Sequence, residues 1–102
     1  MQPENESPML SPILQQMIPG SVVHWCPGCR MLHPICIDPD AAVKWSWNSD
    51  PVKPTFNPSV KVLSPQCHYF VREGKIQYLS DCSHKYAGQT IDMPEIPEDE
   101  RW

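Results

Sequence analysis

Trp25-Cys26-Pro27-Gly28-Cys29 places two thiols across a Pro-Gly turn. Such a knuckle points both sulfurs at one spot and supplies half of a tetrahedral site for Zn²⁺, which takes thiolate and imidazole ligands. The other half must come from downstream, where Cys36, Cys67, Cys82, His33, His68 and His84 are the candidates. The knuckle therefore predicts a small metal-stapled domain.

Composition agrees. A chain of 102 residues buries a thin core and gains from a metal staple. Thirteen prolines disfavour long helices and suit short strands joined by rigid connections. A formal charge of −4 and a pI near 5.4 leave no basic field for phosphate backbones, which speaks against nucleic acid as a partner. No segment has the length and apolarity of a membrane span. Met1 to Leu10 lacks the basic and apolar parts of a secretory signal, so the five cysteines are expected in a reducing compartment such as the cytoplasm. There they are metal ligands rather than disulfides.

Patterning divides the chain into a leader (1–20), a zinc-stabilised β-rich domain (21–91) and an acidic, proline-containing tail (92–102) expected to hold little regular structure. In the leader, Ser11 as N-cap, Pro12 at the first helical position and Pro19-Gly20 as a stop predict a short amphipathic helix. Its apolar stripe, including Ile13, Leu14, Met17 and Ile18, either packs on the domain's own core or docks a partner protein. Strands are expected at 21–25, 31–37, 59–63, 67–71 and 75–79, and Val43 to Trp47 alternates as a strand does. Asp81 is placed to cap a second short helix from Cys82 to Ala87, ended by Gly88. The predicted class is α+β and strand-rich, a zinc-ribbon or treble-clef-like module.

Side-chain direction sorts the ligands. Cys67 and His68 are neighbours on a strand, so they leave opposite faces. With a two-residue turn at Glu73-Gly74, Cys67 comes opposite Ser80, beside Cys82, and shares a face with Tyr69, Val71, Ile76 and Tyr78. That register favours Cys26, Cys29, Cys67 and Cys82 as a closed structural site. The rival set is Cys26, Cys29, Cys82 and His84. Cys36 falls in an apolar strand and is left outside. His33, His68, His84 and Asp81 remain as packing, capping and ligand-orienting groups, or as a second metal or acid/base cluster. A cysteine nucleophile is disfavoured because Cys67 and His68 diverge. A redox role for Cys26 and Cys29 lacks the long helix that activates such thiols. Trp25, Trp45 and Trp47 are expected in the core, unless one is exposed near Pro54 and Phe56 as a partner anchor.

Trp25 to Cys29, Trp45-Ser46-Trp47-Asn48, Pro54-Thr55-Phe56-Asn57-Pro58-Ser59, Cys67-His68-Tyr69-Phe70, Asp81-Cys82-Ser83-His84 and Ala87-Gly88-Gln89-Thr90 together resemble a family of small phage and prophage zinc-binding proteins without an established biochemical role. The likeness runs from about residue 22 to 94 and leaves the leader stripe and the acidic end outside. It implies a zinc-binding fold in a phage context, with Cys26, Cys29, His33, Cys67, His68, Asp81, Cys82 and His84 in the pattern. The function expected is a zinc-stabilised binding module acting on host machinery such as a defence system. The alternative is a small zinc-dependent hydrolase using His33, His68, His84 and Asp81.

Overall fold

The computed structural model of the chain describes residues 8–17 and 20–102. Two antiparallel meanders make up the fold. The first runs β1 (Met9–Ser11), β2 (Leu14–Gln16), β3 (Ser21–Cys26) and β4 (Met31–Cys36), neighbours in that order. The second runs β5 (Ser46–Trp47), β6 (Phe56–Leu63), β7 (Gln66–Arg72), β8 (Lys75–Tyr78) and β9 (Thr90–Asp92). A single core joins them, with Leu14, Val22 and Ile35 from the first sheet meeting Phe56, Val60, Tyr69, Val71, Ile76 and Tyr78 from the second. Pro34 sits in β4 without cost because β4 is an edge strand.

The α+β expectation is corrected to an all-β fold. Among the described residues the helical content is one 3-10 turn, Glu98–Glu100. Where the leader helix was expected, Ser11 pairs with Leu14 across a tight turn at Pro12-Ile13. The Ser11 hydroxyl accepts the Ile13 N–H at 3.1 Å. Serine followed by proline starts a turn as readily as a helix, and seven residues provide too few internal hydrogen bonds to prefer the helix. Leu14 is fully buried and Ile13 packs against the core, whereas Ile18 lies outside the described residues. The second expected helix is also replaced by successive turns, with Ala87 N–H bonded to the His84 carbonyl and Gln89 N–H to that of Tyr86. Without that helix the treble-clef comparison lapses.

The expected hairpin register is observed. Tyr69 pairs with Tyr78 and Val71 with Ile76, and all four side chains are buried. The acidic tail closes the first sheet: Met93 and Ile96 are buried, and Ile96 N–H reaches the Pro12 carbonyl. Buried Gln15 brackets Trp102, donating to its carbonyl at 3.0 Å and accepting its N–H at 3.1 Å. No helix among the described residues is long and apolar enough to cross a membrane.

Candidate functional sites on the two faces of one strand

Alternation along β7 sends Cys67, Tyr69 and Val71 into the core and leaves Gln66, His68 and Phe70 only partly buried. Each face carries its own chemistry. On the inner face, ligand atoms of Cys26, Cys29, Cys67 and His84 all lie within 4.8 Å of one another. Cys26 Sγ is 4.0 Å from Cys67 Sγ, and Cys67 Sγ is 3.3 Å from His84 Nε2. A tetrahedron with Zn–S bonds of about 2.3 Å has edges of about 3.8 Å, so these spacings fit such an ion. The donor set, three thiols and one imidazole, suits the same metal.

Surrounding groups hold the donors in place. The Tyr78 hydroxyl donates to Cys26 Sγ at 3.1 Å, and the Cys29 N–H does so at 3.4 Å. The Tyr86 N–H donates to His84 Nδ1 at 3.2 Å and orients the ring. Gly28 makes room for that ring, since a Cβ there would lie 2.4 Å from three of its atoms. A hydrogen bond from Cys67 pulls the Cys26 thiol down to about 4, against the cost of burial. The same bond, with burial, holds the Cys67 thiol up. Burial and the Cys26 charge push Cys29 up to about 11. One negative charge is thus held where a cation would bring the others out as thiolates.

The outer face carries a different group. Ser59 Oγ lies 3.0 Å from His68 Nε2, and His68 Nδ1 lies 3.3 Å from Asp81 Oδ2. This is the serine–imidazole–carboxylate arrangement in which a base takes the hydroxyl proton and an acid orients the base. It depends on an irregularity in β6. Phe56 pairs with Val71 and Val60 with Tyr69, so four steps of β6 match two of β7. Asn57, Pro58 and Ser59 bulge out between these pairs, a device that re-aims side chains at sheet margins. The Trp45 indole N–H donates to the Ser59 carbonyl at 3.1 Å and ties the bulge down. Gln66 Nε2 donates to the Asp81 carbonyl at 3.0 Å and approaches its Oδ2 at 3.4 Å. The His68 side chain is 24 % exposed and that of Asp81 44 %, so the group is reachable from solvent.

A family model described as "Bacterial ubiquitination-like system serine protease (BubE)" matches residues 3–79. The chain belongs to the BubE family. No curated protein and no solved structure shows a significant match to it. The match to BubE takes in the N-terminal hairpin, the knuckle, Ser59 and His68, while Asp81 and His84 follow just after it.

Placement of the expected site residues in this BubE-family chain is uneven. Cys26, Cys29 and Cys67 come together as the strand directions required, with His84 as fourth neighbour. Cys82 has its sulfur on the backbone of β7, accepting the His68 N–H at 3.2 Å and donating to the His68 carbonyl at 3.1 Å. The four groups of the alternative hydrolase part company. His84 faces the thiols, and His68 and Asp81 pair with each other. His33 is buried beside Tyr69, its Nδ1 2.9 Å from the phenol oxygen. His24 reaches the same oxygen at 2.7 Å, and burial holds it neutral by pulling it down to about 3. Ser59 was missed, because strand alternation cannot announce a bulge. Its one sequence signal was its place at the end of Pro54-Thr55-Phe56-Asn57-Pro58.

Proposed function

We propose that this protein is a serine peptidase of a bacterial ubiquitination-like system, with Ser59 as nucleophile, His68 as general base and acid, and Asp81 as the group that orients His68. The observation that carries the reading is the pair of contacts joining Ser59 to His68 and His68 to Asp81. The family description names a serine protease of a ubiquitination-like system, and the substrate class we propose is a peptide or isopeptide bond at the carboxyl end of a ubiquitin-like protein.

The steps follow from the geometry. Ser59 Oγ attacks the scissile carbonyl carbon while its proton passes to His68 Nε2, giving a tetrahedral intermediate. His68 Nδ1–H stays on Asp81, which stabilises the imidazolium. Collapse of the intermediate breaks the C–N bond, and His68 gives its proton to the leaving amine. Water, deprotonated by His68, then hydrolyses the Ser59 ester and releases the carboxylate.

Cys26, Cys29, Cys67 and His84 are the residues that would hold a Zn²⁺, and their closed donor set supports a structural part for it. Because Cys67 precedes His68 and Cys82 follows Asp81, the inner face steadies the strand and loop that carry the outer one. The test is cleavage of ubiquitin-like proteins bearing a C-terminal extension, by the native protein and by Ser59→Ala. Native cleavage after the modifier's last residue, lost in S59A, supports the reading. Equal cleavage by both, or by neither, contradicts it.

A further inference from the structure

An open cleft of about 540 Å³ is lined by Ile37, Pro39, Trp45, Ser46 and Trp47 among others. Its wall and the nucleophile share a residue. Trp45 lines the cleft and donates its indole N–H to the Ser59 carbonyl. Ser46 lines it too, and pairs with Asn57 inside the bulge that carries Ser59. Trp47 is braced from behind by its stack on Phe56, with ring centroids 6.0 Å apart.

The cleft also follows a sheet edge. β5 bonds to β6 on one side and is the last strand of its sheet on the other. An edge strand bordered by an apolar trough receives an extended peptide well: main-chain groups add to the edge and alternate side chains drop into the trough. Trp45 ties that edge to the main chain of Ser59.

We infer that this cleft is a specificity subsite, which takes a large apolar side chain of the extended substrate next to the scissile bond. The inference rests on the peptidase reading above and adds what the enzyme selects. The indoles and Ile37 set the chemistry, since a hydrophobic pocket discriminates by size at about tenfold or more per methylene-scale change.

The experiment uses internally quenched peptides with Ala, Val, Leu or Phe on each side of the cut, assayed with the full chain and two variants. Ser46→Tyr narrows the cleft and Ile37→Ala widens it. Expected is a preference of the native protein for Leu or Phe over Ala of at least about tenfold in kcat/KM, on one side of the cut. S46Y should move that preference toward small residues and I37A toward larger ones. These opposite shifts separate a subsite from a general loss of structure, and either variant alone is informative if the other fails to fold. A native enzyme that cleaves all the peptides alike overturns the subsite and leaves the peptidase reading intact, as does a preference that neither variant moves. A native chain that cleaves none of them and does not react with a fluorophosphonate at Ser59 overturns both.

Discussion

Ser59 Oγ and His68 Nε2 face each other at 3.0 Å across β6 and β7, although their strands are not in simple register there. The contact exists because β6 carries two more residues than β7 between the pairs Phe56–Val71 and Val60–Tyr69. A regular strand would have turned the serine elsewhere. Ser59→Ala and His68→Ala should each lower kcat by at least about 10³-fold, and the double variant should be no worse than either single one. Steady-state peptide hydrolysis checks this, and additive losses would contradict a shared step. Asp81→Asn should cost less, because the Asp81 side chain is half open to water.

Gly28 and His84 give a second, independent test. A methyl group at position 28 would lie 2.4 Å from the His84 ring, against atoms that cannot swing away while the ring faces Cys67. Gly28→Ala should therefore lower zinc content, measured by atomic absorption, and bring the melting temperature down with it. Full zinc occupancy in G28A would remove His84 from the ligand set.

The cysteines should separate by position. Cys67→Ser should strip zinc and unfold the domain, because the site's binding energy is folding energy. Cys82→Ser should retain most of the zinc, and should reduce turnover by loosening His68, whose N–H and carbonyl both bond to the Cys82 sulfur. Cys36→Ser should leave metal and activity close to native. Chelation followed by zinc return should remove and restore peptide hydrolysis, since β7 carries Cys67 and His68 side by side.

The N-terminal hairpin belongs to the core. Leu14 is fully buried among core residues of both sheets, so Leu14→Ala should destabilise by about 2–5 kcal/mol in urea unfolding. A change below about 0.5 kcal/mol would mean that Leu14 lies exposed in solution.

Legibility in the sequence followed the strength of local rules. The β7–β8 register was readable because a two-residue turn at Glu73-Gly74 and a buried face at Tyr69, Val71, Ile76 and Tyr78 require the same pairing. The divergence of Cys67 and His68 was readable for the same reason, and it separates the two sites. Helices were misread where Ser11-Pro12 and Asp81 offered cap signals, because the same residues start turns. Asp81 instead turns its carboxylate to His68. His84 was placed among several roles, and only folding brought its ring over Gly28. Apart from its place after Pro54-Thr55-Phe56-Asn57-Pro58, Ser59 had no local signature, since the bulge that aims it arises from the pairing of β6 with both β5 and β7.

The most direct measurement is mass spectrometry of the intact protein after reaction with a fluorophosphonate, followed by peptide mapping. Expected is a single adduct on Ser59, formed by the native protein and absent from His68→Ala. No adduct, an adduct on another serine, or equal labelling of Ser59 without His68 would contradict Ser59 as a nucleophile activated by His68.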